Sequence, residues 1–308
     1  MIDPDIARFV ADSDRFYPSD TAQRPLNDQR RLYEAYASTF AVQRPSGITS
    51  HDDALVLADR LIPLRLYRPG RTLVDGVVVY AHGGGFVLGS LDSHDGIVAR
   101  IADAAGAPVV AVDYRLAPEH PHPAALDDVL AVAKAVLERR SPWEGLLPTR
   151  LVLMGDSAGG TLACAAALRL GQAWPDRLRA LALIYPSLGF EPAEPARTRW
   201  AEAPMLTLDD VRLYRSAYLG RDGDPSPFPL DQPDLSALPP TVLLPAEVDP
   251  LRDDCTMLAG RLQALGTEVM LLPGTGLVHG ALRAMDRAAA MAEPFARMCA
   301  FLSARLGA

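Results

Sequence analysis

A serine hydroxyl is a weak nucleophile until a neighbouring base takes its proton. Ser157 sits in Gly155-Asp156-Ser157-Ala158-Gly159-Gly160, directly after the apolar run Leu151-Val152-Leu153-Met154. A buried strand that runs into a sharp turn, with a serine at the tip and a helix behind it, presents that serine for acyl transfer. Gly155 and Gly159, two residues either side, remove side chains where the chain bends tightly. The base is expected to be His279, in Leu277-Val278-His279-Gly280, the one histidine in the final third of the chain. Asp249, in Glu247-Val248-Asp249-Pro250, is the acid expected to orient it. The three follow the order Ser, Asp, His, each at the carboxyl end of an expected strand, where open α/β sheets place their sites. His82-Gly83-Gly84-Gly85-Phe86 follows a further strand ending at Ala81. Three consecutive glycines leave backbone N–H groups free to face a developing oxyanion, with another from Ala158 after the serine. The run lacks the Gly-Lys-Ser/Thr and Gly-x-Gly-x-x-Gly patterns of phosphate loops.

These residues need a sheet to position them, and the chain is long enough to build one. Its 308 residues, 49% hydrophobic and 22% charged, suit a large globular α/β unit. Short apolar runs alternate with helix-length segments, which predicts a mostly parallel sheet covered on both faces. Strands are expected at about 61–68, 76–81, 108–113, 150–155, 180–185, 241–246 and 268–272. Helices are expected at about 94–105, 123–139, 158–171, 252–265 and near the C-terminus. The runs around Val77, Val109 and Leu151 are continuous, as in strands buried on both sides. The 61–68 strand alternates (Leu64 and Leu66 against Arg65 and Arg68) and reads as an antiparallel edge.

Two segments break this rhythm. Residues 1–45 hold Phe9, Phe16, Tyr17, Tyr33, Tyr36 and Phe40 at helical spacing. Residues 188–230 are proline-rich, with one helix expected from near Thr207 and prolines 225, 227 and 229 closing off regular structure. Both are expected to pack as a small helical cap over a core of 46–187 and 231–308.

The net charge of -8 carries no basic stripe, which argues against nucleic acid as a partner. No apolar stretch approaches bilayer length and no leader pattern opens the chain, so the expected location is cytoplasmic. Cys164, Cys255 and Cys299 are too few and too scattered for a disulfide framework, and neither they nor the six histidines have metal-ligand spacing. No metal or cofactor is expected.

The motifs together resemble the hormone-sensitive-lipase branch of the α/β-hydrolases, the bacterial class IV esterases. His82-Gly83-Gly84-Gly85-Phe86, Asp113-Tyr114-Arg115-Leu116-Ala117-Pro118-Glu119-His120-Pro121, Gly155 to Gly160 and Asp249-Pro250-Leu251-Arg252-Asp253 match that family's four motifs in order. Pro204-Met205-Leu206-Thr207 is similar to its cap region. The resemblance implies the α/β-hydrolase fold and cofactor-free hydrolysis of a small carboxylester. Ser157 would be the nucleophile, His279 the base and Asp249 its orienter, with the oxyanion held by Gly83, Gly84 and Ala158. It also implies short acyl chains, about two to eight carbons, and a homodimer. Ala281 stands where the family usually has Phe, and Val248 where Tyr is common. Both departures bear on pocket lining and substrate preference.

Other residues carry quieter expectations. Asp156 should fix the turn by a hydrogen bond, and His82 should brace the glycine loop. Asp113, Arg115 and Glu119 should form a buried polar network, and Asp253 and Asp254 should face solvent. Phe86, Trp200, Met205, Leu206, Tyr214, Tyr218, Phe228 and Val248 are candidates for the pocket wall. Rival functions are a deacetylase or amidase acting on a small metabolite or xenobiotic, and a non-catalytic receptor such as the gibberellin receptors, which lack the histidine.

Overall fold

Runs of β-branched and leucine residues have nowhere to go but a sheet interior, and that is where they lie. The computed structural model describes residues 1–16, 21, 24–140, 148–220 and 227–307. Tyr17 and Pro225 fall outside them. Eight strands form one sheet: β1 (Thr49–Val56), β2 (Leu61–Arg68), β3 (Gly76–Ala81), β4 (Val109–Val112), β5 (Arg150–Asp156), β6 (Leu178–Ile184), β7 (Thr241–Leu244) and β8 (Val269–Leu271). Their order is β1-β2-β4-β3-β5-β6-β7-β8. β1 with β2 and β2 with β4 pair antiparallel, and every other pairing is parallel.

Side chains of a strand alternate between faces, so each buried strand feeds two cores. Val78 and Tyr80 of β3 join one cluster with α3 (Asp95–Ala105) and α9 (Ala289–Gly307). Val77, Val79 and Ala81 join the other with α4 (Ala124–Leu137), α5 (Ala158–Gly171) and α8 (Arg252–Ala264). The sheet is therefore covered on both faces, as the continuous apolar runs require.

β2 is antiparallel but not an edge. β1, which the sequence pattern did not reveal, pairs outside it from Thr49 to Val56. The strand is mostly exposed and begins Thr49-Ser50-His51-Asp52-Asp53, so it lacks the apolar alternation that marks a half-buried strand.

Among the described residues, each of the two segments outside the βα rhythm carries two α-helices. α1 (Pro4–Ser13) is capped by Asp3, whose carboxylate accepts from the Asp5 and Ile6 N–H groups. The Asp3 N–H donates to Gly276 O at 3.0 Å, three residues before His279. α2 (Leu26–Thr39) is tied down by Arg30, which donates to Val87 O at 3.0 Å and to Glu119 at 2.8 Å. In the second segment α6 (Ala196–Arg199) precedes α7 (Leu208–Leu219). Thr207 caps α7 in a reciprocal box with Asp210, the arrangement that satisfies otherwise orphaned first-turn donors. A 3-10 turn spans Pro229–Asp231, so the prolines here permit a short helical turn.

Two polar expectations are corrected. Asp113, Arg115 and Glu119 do not bond one another: Arg115 clamps the buried Asp128 on α4 at 2.8 Å, and Glu119 pairs with Arg30. Asp253 and Asp254 are buried rather than solvent-facing. Asp254 accepts backbone N–H bonds from Leu188 (2.7 Å), Gly189 (3.2 Å) and Ala193 (2.7 Å), and Asp253 accepts from Ala196 (2.8 Å). A loop without ladder partners must satisfy its N–H groups elsewhere, and α8 supplies the acceptors for this one.

Candidate active site

The turn after β5 is shaped by backbone meeting backbone. A Cβ on Gly155 would lie 2.4 Å from the Gly159 carbonyl carbon, and one on Gly159 would lie 2.0 Å from Ala81 O at the end of β3. Ser157 between them has φ 52 and ψ -123, a conformation that side chains rarely adopt. Its N–H is held by Ile184 O at 2.9 Å. Such strain persists where surrounding structure over-determines it.

His279 arrives from the loop after β8. Its Nε2 stands 2.8 Å from Ser157 Oγ and its Nδ1 2.7 Å from Asp249 Oδ2. An ionised carboxylate only accepts, so Nδ1 carries the proton and Nε2 is left to accept from the serine. The other oxygen of Asp249 accepts from Leu251 N–H at 2.8 Å, and the side chain is fully buried. The two loops are pinned side by side through an isolated parallel bridge between Val248 and Val278, each one residue before the acid and the histidine. The Val248 side chain is buried in the core cluster and does not line the cavity, contrary to expectation.

The glycine loop is set by Asp156. Its carboxylate accepts from Tyr80 Oη and, at 2.9 Å, from Gly83 N–H. Burial opposes its charge, but His94, the Tyr80 hydroxyl and His82 outweigh burial and hold the carboxyl low, at about 2. Asp156 thus braces the glycine loop rather than the serine turn alone. Because Gly83 spends its N–H on Asp156, it cannot donate to an oxyanion, which corrects that assignment. Gly84 and Gly85 face the cavity with Ala158, and their N–H groups have no acceptor among the described residues. A Cβ on Gly83 would lie 2.4 Å from Asp156 Oδ2, so glycine is needed there for close approach. His82 is neutral: burial and His94 push it down to about 3, and its Nδ1 lies 2.8 Å from Gly83 O.

Ser157, His279, Gly84, Gly85 and Ala158 open onto a cavity of about 460 Å³. Phe86, Met205, Leu206, Tyr214 and Phe228 line it. Tyr218 stands behind Phe86, rings parallel at 3.8 Å, and Trp200 packs from the C-terminal end of α6 onto the core, so neither reaches the cavity. Among the described residues no group of three or more His, Cys, Asp or Glu side chains is placed to hold a metal ion, and no helix is long and apolar enough to cross a membrane.

Residues 78–283 match a family described as having the alpha/beta hydrolase fold. The chain belongs to the hormone-sensitive-lipase-like branch of the α/β-hydrolases. It is 39% identical over 208 residues to the esterase LipI of Mycobacterium tuberculosis, covering 66% of this chain and 65% of that relative. It is 33% identical to an ethyl acetate hydrolase of Pseudomonas putida, covering 83% of each. Among solved structures, an esterase of Pyrobaculum calidifontis superposes with TM-score 0.87 at 28% identity over all of both chains.

Within this hydrolase fold several wall residues escaped the sequence reading. Tyr185 follows β6, its ring 4.7 Å from that of His279 and its hydroxyl accepting from Leu282 N–H at 3.3 Å. Its place after Ile184, at the end of the strand beside β5, was the available signal. His94 and Arg283 also reach the cavity, and nothing in their local sequence points there.

Proposed function

We propose that the chain is a serine carboxylesterase, with Ser157 as nucleophile, His279 as base and Asp249 as the group that orients it. The carrying observation is the relay of 2.8 and 2.7 Å from Ser157 through His279 to Asp249. Ser157 Oγ attacks the ester carbonyl as its proton passes to His279 Nε2. The oxyanion that forms is met by the N–H groups of Gly84, Gly85 and Ala158. His279 then protonates the departing alcohol, and water activated by the same nitrogen releases the acid. Fixed backbone dipoles suit the oxyanion because they need no reorganisation as charge develops. Residues 1–45 and 188–230 act as a cap: Tyr33 and Tyr36 from one, and Leu206, Tyr214 and Phe228 from the other, wall the cavity.

The apolar side of the wall suits acyl chains of about two to eight carbons, a size in keeping with cavities of a few hundred Å³. One experiment tests both the reaction and the chain length. Hydrolysis of p-nitrophenyl esters from two to sixteen carbons should peak in the short range, and Ser157→Ala should lose roughly 10⁶-fold in kcat throughout. Retained activity in Ser157→Ala would overturn the assignment, and a peak at sixteen carbons would overturn the chain length.

A further inference from the structure

Two arginines line the cavity, and their surroundings differ. Arg215 is paired: its guanidinium lies 2.7 Å from Glu191 and also bonds Phe190 O. Arg283, 6% exposed in the 3-10 turn Ala281–Ala284, has no carboxylate within 4.0 Å among the described residues. It donates to Ser93 O at 2.7 Å and to Tyr33 Oη at 3.2 Å. Its guanidinium carbon stands 5.4 and 5.5 Å from the ring centres of Tyr33 and Tyr36. A guanidinium has five N–H donors, so three remain without an acceptor among the described residues. Tyr33 Oη accepts from Arg283, which leaves its own proton to donate, and burial holds it as the neutral phenol.

Asp156 acts on Arg283 through space. Its carboxylate is already engaged by Tyr80 and Gly83, so it offsets charge without filling the open donors. Asp14 also reaches the cavity lining, but it is exposed and therefore screened. A buried cation with open donors is costly unless something pairs with it. The wall of a cavity that also holds Ser157 and His279 is where a ligand can do so.

We propose that Arg283 and Tyr33 form an anion-recognition subsite, so that the favoured ester carries a carboxylate on the arm that reaches the N-terminal segment. The other arm lies against Phe86, Leu206, Val211 and Phe228 and is uncharged. A planar guanidinium beside a hydroxyl donor matches a carboxylate's two oxygens. The inference rests on the ester-hydrolase reading and adds a substrate class to it.

Matched esters test it on either arm: monoethyl glutarate against ethyl hexanoate, and γ-acetoxybutyrate against pentyl acetate. In one pair, Arg283→Met should lower the anionic-to-neutral ratio of kcat/KM about 10- to 100-fold, the loss of a charged hydrogen-bonded pair. The loss should appear mainly in KM. Arg283→Lys should keep part of the ratio, and Tyr33→Phe should lower it by less than Arg283→Met does. If both members of each pair fall together in Arg283→Met, the residue is structural and the proposal is overturned. Should that variant fail to fold, wild-type competition decides: butyrate must inhibit p-nitrophenyl acetate hydrolysis about tenfold better than butanol, and equal inhibition overturns the subsite. Turnover of the neutral esters leaves ester hydrolysis standing in either event, whereas no turnover of any of the four overturns both readings.

Discussion

The serine turn and the segments that cover it are held by different means. At the turn, backbone approaches backbone: Gly155 against Gly159, and Gly159 against the end of β3. Around the cavity, charged side chains bond backbone groups far away in the chain. Arg30 on α2 reaches Val87 and Ala117, Asp254 on α8 reaches Leu188 and Ala193, and Arg261 reaches Leu230 at 2.7 Å. The first region tolerates no added atoms. The second depends on charge and on satisfied N–H groups. Changes at the turn should therefore strike rate, and changes in the cover should strike stability and substrate choice.

The largest effect that sharpens this contrast is expected at Asp249. Asp249→Asn keeps the shape but presents its amide to His279 Nδ1, favouring the wrong tautomer, and kcat should fall about 10⁴-fold. Steady-state kinetics on p-nitrophenyl butyrate measure it, and a loss below about tenfold would remove Asp249 from the relay. Next comes Gly84, at φ +127, where a Cβ would sit 2.1 Å from Leu88 O. Gly84→Ala must displace the loop and should cost about 10²- to 10³-fold in kcat, as for one lost oxyanion donor. A variant of normal rate would show that this N–H does not face the reacting oxygen.

The smallest effect is on stability, and its sign depends on pH. Burial raises Asp254 from 3.8 to about 7 against the pull of backbone donors from Ala193, Leu188 and Gly189, with Asp249 adding to the rise. Between those values the folded protein holds a proton that the unfolded chain has released. The stability tied to this group is thus full below the ordinary aspartate value and lost as pH rises towards about 7. Asp254→Asn replaces one acceptor oxygen with a donor and should cost about 1–3 kcal/mol at pH ~5, with the deficit shrinking towards pH ~8. Urea unfolding at several pH values measures the gap. A gap that stays constant between those pH values would mean that the backbone donors keep the carboxylate charged.

Sequence alone determined the elements that depend on neighbours in the chain. The continuous runs in β3, β4 and β5, the helix behind Ser157 and the capped start of α7 follow from local pattern, because each is a response to periodicity or to a cap. The meeting of Ser157, Asp249 and His279 was legible for the same reason: each stands just past a strand end in a recognisable short motif. Tertiary structure decided whatever depends on who is already engaged. Gly83 looks as free as Gly84 until Asp156, 73 residues away, takes its N–H. Asp253 and Asp254 look like solvated helix acids until an unladdered loop needs their oxygens. β1 carries too few apolar residues to announce itself and exists because β2 offers it an edge. Arg283 reads as one more arginine, and only burial beside Tyr33, with no carboxylate within 4.0 Å among the described residues, gives it a meaning. Hydrogen-bond partners are exclusive and set by distance in space, so no local pattern can assign them.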